Sequence, residues 1–312
     1  MNKTLASWIL LITCNMMWSL QFTCIKLVQD QVSPYFTVWG PMIIATLMLS
    51  PFAIKDFNKS KKSIRDFLLF GHLAIFGAFP SQVLMTMGTQ YSLASNASII
   101  TLSLPVFSIL FAFLILKERM NISRWISIIV ALLGVILIST GDIKQLRFSS
   151  NYAIGNILIF IAIIGNSYYN VGCKKISDRY TALEMVFYTY LFVVILLTPF
   201  VLYHNGDIFS KIPSFTLQTW SGLALLTFFQ NFLSMILFFK ALKSLEAIQV
   251  AISNYLIPLF GLPIAAFWLG EKLNFQAIGG GILILISTLL ISIVDYKINN
   301  QSKELLVKQH GK

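Results

Sequence analysis

Apolar runs of about 20 residues, separated by short polar or basic segments, recur along the whole chain. Ten of them can be marked out: Trp8–Val28, Tyr35–Ile54, Phe67–Thr89, Leu93–Leu116, Ser123–Thr140, Ala153–Cys173, Ala182–Tyr203, Gln218–Phe239, Ala247–Leu269 and Phe275–Asp295. A helix rises about 1.5 Å per residue, so roughly 20 apolar residues cross a hydrocarbon core of about 30 Å. The pattern therefore predicts an all-α integral membrane protein with ten transmembrane helices. Only Gln90–Ser92 separates the third run from the fourth, which forces an antiparallel hairpin. The first run is too long for the apolar region of a secretory signal and lacks a small-x-small cleavage site, so it is expected to stay in place.

The runs repeat. Ala94 to Ser139 aligns with Ala247 to Ser292 at a constant offset of 153, pairing Pro105 with Pro258, Phe107 with Phe260, Glu118 with Glu271 and Asn121 with Asn274. Earlier in each half an offset of 148 pairs Ser19 with Ser167, Lys26 with Lys174, Asp30 with Asp178, and Pro51-Phe52 with Pro199-Phe200. One unit of about 150 residues thus occurs twice. The expected organisation is a first five-helix repeat over 1–150, a second over 151–296 and a short basic tail over 297–312. Five crossings is an odd number, so the second copy lies inverted. Inverted repeats suit a carrier that alternates between two mirror-related states.

Charge sets the orientation. With the N-terminus in the cytoplasm, eighteen of the 23 Lys and Arg residues fall on the inner side. Lys26, Lys144, Arg147, Lys211 and Lys272 remain outside. That asymmetry places both termini in the cytoplasm of a bacterial-type inner membrane, with the basic loops against anionic lipid. The net charge of +11 is thereby explained without nucleic acid as a partner. Composition agrees, with 57% hydrophobic and 11% charged residues and a mean hydropathy of +0.78. Soluble domains carry about 25% charged residues.

Cys14, Cys24 and Cys173 fall within apolar runs or at their ends, without metal-ligand spacing, and read as small core residues. No metal and no cofactor is expected. Nothing in the sequence assigns an oligomeric state.

Two stretches carry a family resemblance: Leu104-Pro105-Val106-Phe107 through Lys117-Glu118-Arg119, and Ile257-Pro258-Leu259-Phe260 through Gly270-Glu271-Lys272. The Ala241-Leu242-Lys243 run, and Trp18 followed eight residues later by Lys26, fit the same pattern. From about Trp8 to Asp295 the chain resembles the drug/metabolite transporter superfamily, EamA type. One departure is Asn166, which stands where the first half has Trp18. The resemblance implies a ten-helix carrier of small metabolites with a central cavity open to one side at a time.

Polar residues deep in the spans are the candidates for lining that cavity. Trp18, Gln82, Asn166, Tyr169, Gln230 and Asn254 lie near the centres of their runs. Amides in hydrocarbon must find partners, so each faces another helix or a wet cavity. As a set they are expected to line one central substrate site. Pro105 and Pro258 sit at mirrored positions and have two readings: a bend that shapes a gate, or a static kink that aids packing. Glu118 and Glu271 end their helices and read as loop anchors. Lys26 and Lys174 either snorkel to the interface or meet an anionic group on the substrate. No Asp or Glu lies near a span centre, which argues against proton coupling through a buried carboxylate. Coupling through His72 or Glu184, near the inner ends of their spans, stays open.

Three function classes compete. A channel would often show a charged ring or a repeated filter, and none is visible. An intramembrane enzyme would need clustered acids, bases or a nucleophile, whereas His72, His204 and His310 are far apart in the chain. A carrier fits best, moving small organic metabolites, amino acids or related compounds foremost, with export as the favoured direction. Uptake or exchange of a nucleoside-like metabolite such as S-adenosylmethionine is the alternative within the family.

Overall fold

The computed structural model describes residues 3–56, 63–117, 122–139, 152–173, 179–242, 253–254, 256–272, 275–287 and 289–290. Every regular element among them is helical. Seven helices are long and apolar enough to cross a membrane, and three shorter apolar helices accompany them. In chain order they are α1 (Lys3–Val28), α2 (Pro34–Asp56), α3 (Ile64–Tyr91), α4 (Ala94–Ile115), α5 (Ile122–Ser139), α6 (Ala153–Cys173), α7 (Ala182–His204), α8 (Leu217–Phe238), α9 (Leu256–Leu269) and α10 (Phe275–Ser287). Glu118, Arg119, Lys174, the start of the ninth predicted span and the basic tail lie outside the described residues.

Side-chain oxygens start several helices by accepting backbone N–H groups that have no partner within the helix. Ser63 accepts from Arg65 at α3, and Thr216 accepts from Thr219 at α8. Ser63 and Thr216 are themselves 153 positions apart, so the offset of 153 extends back to the third helix of each half. Helix ends are mirrored too. Lys117 closes α4 in the left-handed conformation at φ 59°, and its repeat partner Gly270 follows α9 at φ 65°.

The third helix of each repeat departs from α geometry. Ala74–Ala78 in α3 and Leu226–Leu233 in α8 are π-helical. The 153 offset carries 74–78 onto 227–231, inside the second π segment. Within the α8 segment the Asn231 side chain also bonds the backbone, its Nδ2 donating to Leu226 O at 2.8 Å.

Packing follows the repeat. α1 lies against α8 and α9, as α6 lies against α3 and α4. α2 packs on α7, and α4 crosses α9. The main core joins Phe22 of α1, Ile100 and Phe107 of α4, Ile159 of α6, Ile257 of α9 and Ile284 of α10. Small residues let backbones meet. A Cβ on Gly88 would sit 2.7 Å from Gly155 O, and one on Gly134 would sit 2.7 Å from Gly280 O. The second contact joins α5 to the Gly279–Gly281 run of α10.

Candidate functional site

The most developed polar surface runs along one face of α1. Asn15, Trp18 and Gln21 recur at a spacing of three residues and meet α8 and Ser253, which precedes α9. Asn15 Nδ2 donates to Leu11 O at 3.0 Å and to Ser253 Oγ at 2.9 Å. Trp18 Nε1 donates to Ser234 Oγ at 3.0 Å, and its ring lies 5.0 Å from that of Phe238. Ser234 Oγ in turn donates to Gln230 O at 2.5 Å. Gln230 Nε2 donates to Gln21 Oε1 at 2.8 Å. These contacts read as an antiparallel ladder: Gln21 with Gln230, then Trp18 with Ser234 and Phe238. The π segment ends at Leu233, immediately before Ser234. It therefore sets the register at which the lower half of α8 meets α1.

Of the six residues expected to line one cavity, this ladder brings Trp18 and Gln230 together. Ser253, the residue before Asn254, bonds Asn15 of the same helix as Trp18. Tyr169 belongs to a second group, in which its hydroxyl shares a hydrogen bond with Thr189 of α7. Next to Thr189, Tyr190 donates to Asn231 O at 3.2 Å. Asn166 accepts from Asn170 within its own helix at 3.2 Å. Gln82 makes no side-chain hydrogen bond to another described residue. All six side chains are half-buried. No described hydrogen bond connects the Tyr169 group to Trp18. Gln21, Ser234 and Asn15 were not among the expected lining residues. Their signal was the spacing of three along α1 and of four along α8.

Each proline stands near the start of an α-helical segment, just after a turn of tighter hydrogen bonding. Proline lacks an N–H, so Pro105 cannot bond Thr101 O. Leu104 N–H bonds that carbonyl instead, closing a 3₁₀ turn over Thr101–Ser103, and Pro105 opens the next helical segment. The same substitution occurs at the mirrored site, where Ile257 N–H bonds Asn254 O at 3.1 Å before Pro258. The carbonyl preceding each proline also receives a serine from another helix. Ser167 donates to Leu104 O at 3.2 Å, and Ser98 to Ile257 O at 3.3 Å.

Charged groups are held at the ends. The carboxylate of Glu271 accepts the N–H groups of Ala94 and Ser95, both at 2.8 Å, at the start of α4. Lys26 donates to Gln90 O at 2.9 Å on the same rim and feels the charges of Glu271 and Asp30. At the other ends of the helices, Arg179 pairs with the buried Asp66 at 2.9 Å. Glu184, left open as a coupling residue, forms a reciprocal cap with Thr181: its carboxylate accepts from Thr181 N at 2.8 Å, and Thr181 Oγ1 accepts from Glu184 N. A carboxylate bound into its own helix terminus is a structural cap. The Thr181-x-x-Glu184 pattern carried that signal in the sequence. His72 shares a 2.7 Å hydrogen bond with Tyr168, joining α3 to α6. Among the described residues no group of three His, Cys, Asp or Glu could hold a metal ion. Cys14, Cys24 and Cys173 are buried and free.

Comparison with known proteins gives this geometry its context. A solved crystal structure superposes with a TM-score of 0.62 at 13% identity, covering 95% of this chain and 98% of that one. An uncharacterized transporter of Clostridium kluyveri is 27% identical over 88% of this chain and 87% of its own length. A probable terminal-alkyne amino-acid exporter of Streptantibioticus cattleyicolor is 25% identical over 94% of this chain and 95% of its own. An S-adenosylmethionine uptake transporter of Rickettsia conorii is 24% identical over 83% of each. The profile of the EamA-like transporter family matches twice, over residues 6–140 and 153–293, one match to each half. With paired prolines, paired helix ends and a helix packing that repeats between its halves, this multi-pass membrane protein belongs to the EamA-like transporter family.

Proposed function

We propose that the chain is an alternating-access carrier of small organic metabolites, amino acids or related compounds foremost, working chiefly in export. It sits in a bacterial-type inner membrane with both termini in the cytoplasm. Residues 1–150 and 151–296 form its two mirrored halves, and the basic tail 297–312 and inner loops face anionic lipid. The observation that carries this reading is the ladder between α1 and α8, because it joins the first helix of one half to the third helix of the other. Polar groups shared between inverted halves near mid-membrane are where carriers hold substrate. Trp18, Gln82, Asn166, Tyr169, Gln230 and Asn254 form the proposed lining, and Pro105 and Pro258 the proposed flexible points of α4 and α9.

The named relatives fit this choice of substrate. One is named as an amino-acid exporter and the other as an uptake transporter for S-adenosylmethionine, which itself carries an α-amino acid end. The second reading, uptake or exchange of such a nucleoside-like metabolite, draws support from the Trp18 and Phe238 rings, which offer faces for a base.

The test is a radiolabelled metabolite panel in proteoliposomes, with and without an imposed pH difference. Accumulation of amino acids in both conditions supports the reading. Flux that needs the pH difference and is lost in His72→Ala contradicts the uniport or exchange form of it.

A further inference from the structure

On and beside the ladder, the fully buried amide atoms left over are all of one kind. Asn15 Oδ1, Gln230 Oε1 and Asn254 Oδ1 are buried without a hydrogen-bond partner. Each is an amide oxygen, which can only accept. The amide nitrogens of Asn15 and Gln230 are already committed, to Leu11 O and Ser253 Oγ in one case and to Gln21 Oε1 in the other. The assignment at Asn15 is internally fixed. Turning its amide over would set Oδ1 against Leu11 O, two acceptors facing each other. Asn15 is wholly buried, so its free oxygen has no bulk water to satisfy it. An acceptor left unmade in such a place costs about 1–3 kcal/mol, which a donor from a ligand would recover.

We propose that this face of α1, with Gln230 and Asn254, binds the free amino group of the transported molecule through neutral amide oxygens. The proposal rests on the carrier reading above and names which end of the substrate the ladder takes. An ammonium group brings three donors and no acceptor, the complement of these buried acceptor oxygens. The Trp18 ring, tilted at 45° against Phe238, lies between the Asn15 and Gln230 levels. Its face attracts a cation at short range. Asn15 and Gln21 are six residues apart, or about 9 Å of helix rise, so one amine occupies one level at a time. Trp18 is the step between them. No Asp or Glu lies near a span centre, so the cation is held by dipoles and rings alone. Binding of that kind leaves release easy, as a carrier requires.

The experiment uses the full-length protein in detergent and four matched sets of probes: neutral L-amino acids, their methyl esters, their N-acetyl derivatives and the corresponding deaminated acids. Binding is read by thermal shift and calorimetry, and transport in proteoliposomes. The expected result is that free amines and methyl esters bind and N-acetyl derivatives do not. Gln230→Leu and Asn254→Leu should weaken amine binding about five- to 150-fold, the range of one lost hydrogen bond. Gln230→Glu, with Gln21 turning its amide nitrogen toward the carboxylate, should tighten it, since a carboxylate strengthens the acceptor, and it guards against a fold defect in the leucine variants. Equal binding of the N-acetyl compounds, or unchanged affinity in Asn254→Leu and Gln230→Glu, overturns the proposal. If deaminated acids are bound and carried while amines are not, the amine site falls and the carrier reading stands. If cooperatively melting protein neither binds nor moves any probe, both fall.

Discussion

Glu271, just beyond the end of α9, accepts the backbone N–H of Ala94, the first residue of α4, at 2.8 Å. Its second oxygen takes Ser95 N–H at the same distance. One carboxylate thus caps a helix of the other half, where the helix dipole favours negative charge. The N–H groups at the start of a helix have no partner within it, so the cap satisfies two of them and ties the halves together at one rim. Lys26, bonded to Gln90 O next to this point, extends the tie to α1 and α3.

Removing the carboxylate should loosen that rim. Glu271→Ala is expected to cost about 1–3 kcal/mol, appearing as a lower melting temperature. Glu271→Gln, which keeps one acceptor, should cost less. A cysteine at Ser95 should react faster with an impermeant thiol reagent when Glu271 is alanine. Unchanged melting and unchanged labelling would mean the contact holds nothing.

The mirrored helix ends give a second prediction. Lys117 adopts the left-handed conformation that its partner Gly270 adopts without a Cβ. For a residue with a side chain that conformation costs about 1–2 kcal/mol. Lys117→Gly should therefore stabilise the protein by about 1 kcal/mol, measured as a rise in melting temperature. A fall would show that the lysine side chain contributes more than its backbone costs.

The α3–α6 contact admits no side chain at its centre. A Cβ on Gly88 would also lie 2.8 Å from Ile159 N, a backbone atom with little room to move. Gly88→Ala should cost about 1–3 kcal/mol through overpacking. Gly279→Ala, whose Cβ would meet only the flexible end of Leu137 at 3.3 Å, is the control and should cost much less. Equal melting temperatures for the two variants would contradict this packing.

The orientation is tested by placing cysteines at Lys117 and Lys272, both exposed in the structure. An impermeant reagent added to intact cells should label the cysteine at 272 and leave the one at 117 unlabelled until the membrane is opened. Labelling of both in intact cells would remove the inverted arrangement of the halves.

Much of the fold was legible because membrane insertion leaves a coarse mark: long apolar runs, a basic bias between them and a repeat that survives alignment without gaps. The buried cysteines were readable for the same reason, since their placement depends on residue size and polarity alone. The π segments were not. Their formation shifts backbone hydrogen bonds by one residue, a change that no residue type in Ala74–Ala78 or Leu226–Leu233 marks. The proline positions were visible, but their consequence depended on which N–H would take the freed carbonyl, and Leu104 and Ile257 supply that answer only in three dimensions. The Asp66–Arg179 pair was hidden because both residues sit among charges that orientation already explained. The polar site was half legible. The sequence marked Trp18 and Gln230 as deep polar residues, while their connection through Ser234 depends on the packing of α1 against α8.

Counterflow tests the central claim most directly. Proteoliposomes are preloaded with an unlabelled amino acid, and entry of a trace of the labelled compound is followed without a pH difference. An alternating-access carrier should show saturable entry, accelerated by substrate on the far side and slowed in Trp18→Ala and Gln230→Leu. Entry that rises linearly with concentration and ignores the preloaded substrate would contradict the account.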